Sequence, residues 1–180
     1  AAMGRPDTPL PEAVDVAVVG GGIMGLALAY HLAMFSGTGT KGKPGALSIA
    51  VIERSYLVSG ASGRNGGGVR MQWGDAGNVR LMMESIELCK DLAQQLGINL
   101  WFRQGGYLFL ARSEAGERRL QRNAELHAEV GAPTRLLTAA EAQAIVPQLA
   151  VDEVRLATYN PEDGVVFPWA FVWGYAAKAV

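Results

Sequence analysis

Apolar residues arrive along this chain in two rhythms. Val14–Val19 is a short unbroken run rich in valine, which reads as a buried strand. After Gly20–Gly22 the chain stays apolar but switches to helix formers, so residues 23–36 read as a helix. Residues 37–46 form a polar, glycine-rich connection with no core residues, and Leu47–Ile52 is a second β-rich run. Residues 54–68, rich in glycine and serine, read as a long functional loop, and Val69–Trp73 as short extended chain. Val79, Met82, Ile86, Cys89, Ala93 and Leu96 recur at spacings of three and four. They form one buried face of a helix over 76–96 that Gly97 is placed to stop.

Leu100–Phe102 and Tyr107–Ala111 flank Gly105 and Gly106, a pattern that predicts two strands joined by a tight turn. Residues 114–130 read as an amphipathic surface helix. Thr138 and Glu141 make a capping box for a short helix ending near Pro147. Val154–Tyr159 reads as a strand, Pro161–Gly164 as a turn, and Pro168 as the opening of a last helix, Trp169 to Val180. No strand follows that helix in the sequence. The reading is therefore the N-terminal portion of a longer protein, expected to be poorly folded by itself.

Composition narrows the classes. Hydrophobic residues are 49% and charged residues 18%, too apolar for a disordered chain. The 16 Lys+Arg against 17 Asp+Glu give no basic field for nucleic acid. One Cys excludes an internal disulfide, and the expected compartment is the cytoplasm with Cys89 reduced. Val14 to Phe35 is the most apolar stretch, but three glycines and His31 interrupt it, so no membrane span is expected. No His/Cys/carboxylate spacing suits a metal, and no nucleophile elbow is present. The 23 glycines are the unusual feature.

Three of those glycines carry the strongest motif. Gly20, Gly22 and Gly25 form GxGxxG between a predicted strand and a predicted helix. The first permits the turn, the second lets backbone approach a pyrophosphate, and the third lets helix and strand pack. Ile23 and Met24 lie at the helix N-terminus, whose free N–H groups and positive dipole end suit phosphates. Glu53, ending the second predicted strand, suits an adenosine ribose and argues against a 2′-phosphate. It lies further on than the usual distance of about 20 residues, an excess that the 37–46 connection accounts for. These residues leave NAD and FAD both open.

The segment ERSYLVSGASGRNGGGVRMQWGD resembles the flavin-contacting stretch of the amine-oxidising FAD family that includes D-amino-acid oxidase, glycine oxidase and sarcosine oxidase. The look is nearest to sarcosine oxidase β subunits and dye-linked proline dehydrogenases. It covers nearly the whole chain, through VIER, SGRNGGGVR, NVRLMMESIELCKDL, QGGYLFLA, LLTAAEAQAIVP and NPEDGVVFPWAFVWGYAAKA. The resemblance implies an α/β fold: a Rossmann-like FAD-binding domain interleaved with an antiparallel-sheet substrate domain, incomplete in this chain. The expected division is a tail at 1–13, the first part of the FAD-binding domain at 14–97, the start of the substrate domain at 98–160, and a return at 161–180.

By resemblance, Arg54, Ser62, Gly63, Arg64, Asn65, Gly66 and Gly67 neighbour the cofactor, and Arg70 clamps a substrate carboxylate beside the flavin. The implied reaction is hydride transfer from an amine or amino-acid C–H, of the secondary sarcosine or proline type, giving an imine that water hydrolyses. The implied partners are that small molecule, the rest of the same protein, and other subunits where relatives have them. Two departures stand out. Gly67 falls where monomeric sarcosine oxidases carry a basic residue. Pro168 falls where β subunits carry a flavin-attaching His, so FAD is expected to be non-covalent. An NAD-using two-dinucleotide flavoprotein and a non-catalytic FAD-binding subunit are the alternative readings. Among single residues, His31 and His127 read as surface or satisfied histidines, and Trp101 and Phe102 as core ahead of pocket lining. Trp169 and Trp173 also read as core, and Arg112, Arg118, Arg119 and Arg122 as a solvated face.

Overall fold

The computed structural model describes residues 11–36 and 46–179. The first part of the expected tail, nearly all of the 37–46 connection and Val180 lie outside the described residues. The chain divides into two compact units, the first made of residues 1–66, 92–101 and 167–180 and the second of residues 67–91 and 102–166.

In the first unit, strand β1 (Val16–Val19) leads into helix α1 (Ile23–Ser36) and then strand β2 (Ile49–Ile52). The strands pair in parallel, Val16 opposite Ile49 through Val19 opposite Ile52, which is the βαβ arrangement expected. The burial expected of β1 is not met. Only Val18 is buried, and Val19 is 86% exposed, because β2 is its one strand partner among the described residues and the alternate side chains have no layer over them. A 3₁₀ turn, Ala61–Gly63, interrupts the loop after β2.

Helix α2 (Ala76–Leu96) is shared by both units, and α5 (Pro168–Lys178) closes the first. Leu26 and Tyr30 of α1, Val58, Leu92, Leu96, Leu100, and Val172 and Tyr175 of α5 make one apolar core. Pro168 stands at the start of α5, where a missing N–H costs nothing. Gly174 lets α5 pack closely, since a Cβ there would meet Ile98 Cγ2 at 2.7 Å and Leu96 Cδ1 at 3.0 Å.

In the second unit, strand β6 (Leu156–Asn160) lies between β4 (Tyr107–Ala111) and β5 (Arg135–Leu137), all antiparallel. Short strands β3 (Gly68–Val69) and β7 (Gly164–Val165) pair separately. Helix α3 (Glu114–Val130) starts on Ser113, whose Oγ accepts from Gly116 N–H at 3.1 Å, and stops at Gly131 with φ +84°. Helix α4 (Ala139–Ile145) carries the expected capping box, Thr138 and Glu141 each accepting from the other's backbone N–H. Leu137, Ala142 and Ala157 form a core with Leu108, Leu110 and Tyr159 against it.

Several expectations are corrected. Leu100–Phe102 and Tyr107–Ala111 do not form a hairpin. Tyr107–Ala111 pairs with Leu156–Asn160 over five residues, and Arg103 bridges to Val165 instead. A Gly-Gly between two apolar runs looks the same locally whether the chain folds back on itself or feeds a distant partner, and here long-range pairing wins. Strand β5 carries no alternation that would announce it. Trp101 is 56% exposed and holds a left-handed φ of +55°, so it is not core, whereas Phe102 packs beside Met71 and Val79. Trp169 and Trp173 are likewise exposed. His127 faces inward, 1% exposed, with Nε2 at 2.7 Å from the Trp73 carbonyl. That carbonyl requires a proton on Nε2, and Nδ1 is a buried nitrogen without a partner among the described residues.

Candidate functional site

The glycine turn is built by contacts that the sequence could only imply. Gly20 takes φ +110°, and its N–H donates to the Ile52 carbonyl at 2.8 Å, which ties the turn to β2. A Cβ at Gly25 would sit well inside van der Waals contact of the Gly20 carbonyl oxygen and 3.2 Å from Val18 Cγ1, so the third glycine is a packing requirement. The first helical bond runs from Leu26 N–H to the Gly22 carbonyl. The N–H groups of Ile23, Met24 and Gly25 precede it and point out of the helix start. Ile23 N–H donates to Ser62 Oγ at 3.0 Å, so Ser62 caps α1 from the following loop. A Cβ at Gly22 would come within 3.1 Å of the same hydroxyl.

Glu53 joins the turn directly. Its Oε2 accepts from Gly21 N–H and its Oε1 from Ser55 N–H, both at 2.9 Å. The Gly21 bond, then the Ser55 bond, hold its carboxyl below the ordinary carboxylate value. An ionised carboxylate so fixed keeps lone pairs for hydroxyl donors and would repel a phosphate. The support it lends the turn is therefore complete above the ordinary glutamate range of about pH 4 and is lost as pH falls through the lowered value. Glu53→Gln places an amide N–H₂ against one of two N–H donors. It is expected to loosen the turn and lower the thermal midpoint of the full-length protein, measured by a melt.

Beyond Glu53, Arg54, Ser55, Tyr56, Ser59, Arg64 and Asn65 line an open groove of about 780 Å³. Asn65 Nδ2 donates to the carbonyls of Ala61 and Ser62, closing the 3₁₀ turn. Val58 holds φ +73° while buried, and a Cβ at Gly63 would overlap its carbonyl oxygen. Gly63 thus answers to Val58, a reason the sequence did not show. Around Gly66 there is open space, so that position admits a side chain.

Thus Gly20, Gly22, Ile23, Met24, Gly25, Glu53, Arg54, Ser62, Gly63, Arg64, Asn65 and Gly66 all belong to the first unit. These residues fit a dinucleotide: a helix start with outward N–H groups, a third glycine whose Cβ would have no room, and a fixed carboxylate at the end of β2.

Gly67, with φ +69°, and Arg70 belong to the second unit. The Arg70 guanidinium lies 4.9 Å from the Tyr107 ring centroid and 5.7 Å from that of Phe109, a cation–π seat on β4. It makes no ion pair among the described residues, whose side-chain pairs are Lys90–Glu87, Arg118–Glu114 and Arg155–Glu117. The residues after it are held by Asp163, which is fully buried and which the sequence reading missed. Burial pushes the Asp163 carboxyl above the ordinary range. Hydrogen bonds from Gln72 and Met71 and the charge of Arg70 pull it back. Cys89 is buried on α2, its thiol pushed up by desolvation. Among the described residues no cluster suits a metal and no helix is long and apolar enough to cross a membrane.

The family described as FAD dependent oxidoreductase matches residues 15–180. The chain belongs to that family. It is 32% identical over 178 residues to FAD-dependent oxidoreductase domain-containing protein 1 of Xenopus laevis, covering 94% of this chain and 34% of that protein. It is 32% identical over 179 residues to sarcosine oxidase subunit beta of Rhizobium meliloti (strain 1021), covering 97% and 41%. The solved L-proline dehydrogenase from P. horikoshii superposes with a TM-score of 0.82 at 38% identity, covering 94% of this chain and 42% of that one. The chain therefore spans from about a third to just over two fifths of the length of these relatives. Its mixed α/β fold with antiparallel sheets is that of family members.

Proposed function

We propose that this chain supplies the FAD-binding turn and the substrate-carboxylate residue of an oxidoreductase acting on the C–N bond of a secondary amino acid. The observation that carries the reading is Arg70. A guanidinium backed by two aromatic rings, with no carboxylate paired to it among the described residues, is a ready receptor for a carboxylate ligand. The relatives named for sarcosine and L-proline support the secondary-amine substrate class.

The residues divide the work as follows. The N–H groups at the start of α1 and Glu53 would hold the pyrophosphate and ribose ends of FAD. FAD, when bound, supplies the acceptor for the hydride. Arg70 takes the substrate carboxylate through two parallel hydrogen bonds and so fixes which C–H is presented. Attachment is non-covalent: Pro168 has no nucleophile, and the buried Cys89 thiol is kept protonated.

The test is anaerobic mixing of the full-length, FAD-loaded protein with N-methylglycine and with proline. The expected result is loss of the visible flavin absorption with at least one of them. A flavin that dithionite bleaches but no secondary amino acid does would point to a non-catalytic FAD-binding role instead.

A further inference from the structure

Asp163 lies in the turn between β6 and β7, with 0% of its surface exposed. Both carboxylate oxygens are taken by donors from the segment after Arg70. Oδ1 accepts from Met71 N–H at 2.8 Å, and Oδ2 accepts from Gln72 Nε2 at 2.9 Å. The Gln72 amide is itself fully used. Nε2 also donates to the Tyr107 carbonyl at 2.9 Å, and Oε1 accepts from Thr158 Oγ1 at 2.7 Å. The Asp163 main-chain carbonyl accepts from Gly106 N–H at 3.0 Å, the residue before Tyr107. Two short routes therefore join this carboxylate to Arg70. One runs through the backbone of its C-terminal neighbours. The other runs through the strand that carries the rings under its guanidinium.

The charge at this place carries a cost, because a buried carboxylate is opposed by its own desolvation. What an apolar residue cannot do is accept two N–H donors from consecutive residues at once.

We propose that Asp163 is the positioning residue of Arg70: through Met71 and Gln72 it fixes the backbone and the β4 rings that aim the guanidinium at a substrate carboxylate. This rests on the reading of Arg70 given above. Asp163 touches no reacting atom in this scheme. It acts by removing the freedom that Arg70 would otherwise lose on binding.

The experiment uses the full-length, FAD-loaded protein and an anion that cannot be oxidised, pyrrole-2-carboxylate, with pyrrole as the carboxylate-free control. Binding is read from the perturbed visible flavin spectrum. Asp163→Asn, which opposes an N–H₂ to one of the two donors, is expected to weaken the anion about tenfold or more and leave pyrrole unchanged. In an Arg70→Ala background the same substitution is expected to cost nothing further, because positioning has no object once the guanidinium is gone. A general loosening of the fold would instead add its full cost there. Where Asp163→Asn does not retain FAD, Gln72→Met, at a half-buried side chain, carries the same two expectations. Unchanged anion affinity in the single variant, or a loss that adds in full to that of Arg70→Ala, overturns the positioning role while Arg70 keeps its own. If Arg70→Ala alone leaves the anion bound as before, the reading of Arg70 falls and this proposal with it.

Discussion

Arg70→Ala in the full-length protein is expected to lower kcat/KM for a secondary amino acid by about 2–4 kcal/mol, roughly 30- to 1,000-fold, with FAD retained. The side chain leans on Tyr107 and Phe109, and its removal leaves the buried Asp163 carboxylate its Met71 and Gln72 donors. The loss therefore falls on binding and orientation of the carboxylate. Arg70→Lys keeps the charge but not the planar fork, so it is expected mainly to raise KM. Steady-state kinetics with flavin content measured in parallel decides the matter. Loss of FAD, with any residual holoenzyme turning over normally, would assign Arg70 to the cofactor.

Gly25→Ala is expected to abolish FAD loading and to destabilise the protein by about 1–3 kcal/mol. One methyl group is enough because the obstacle is backbone. The Gly20 carbonyl stands where the Cβ must go, and Gly20 is itself tied to Ile52 and held at φ +110°. Gly22→Ala meets only the Ser62 hydroxyl, which can rotate away, and Gly66→Ala meets nothing within 4 Å. The order of damage to flavin occupancy and thermal midpoint should be Gly25, then Gly22, then Gly66. A fully loaded Gly25→Ala protein with an unchanged midpoint would refute the reading of the turn.

What could be read from the sequence was local or repetitive. The βαβ start, the bounds of α1 and α2, the cap at Thr138 and the opening of α5 at Pro168 each follow from spacing or from one residue with one physical job. The glycine turn between β1 and α1 was legible for the same reason. What escaped depended on distant partners. Nothing near Tyr107 says that it pairs with Asn160 rather than with the segment before Gly105. His127 sits on a charged helix whose inward side is set by the Trp73 carbonyl. Asp163 in a Pro-Glu-Asp-Gly turn looks like any solvated turn acid until Met71 and Gln72 are brought to it. The packing of Gly63 against the Val58 carbonyl also lay beyond the sequence.

The pairing of β4 with β6 also makes the sheet a partition between two chemistries. Tyr107 and Phe109 serve Arg70, while Leu108 and Leu110 on the same strand join the apolar cluster around Ala142. Strand side chains alternate, so a slip of one residue would trade the two sets. The leucines would meet the guanidinium and the aromatic rings would be driven into the space under α4. Gly106 guards against this. It holds φ +77°, and any side chain there would collide with the Tyr159 ring, so only the residue without one can occupy that rung. A chain that folded one step out of register would present Arg70 with aliphatic side chains in place of the two rings that seat it.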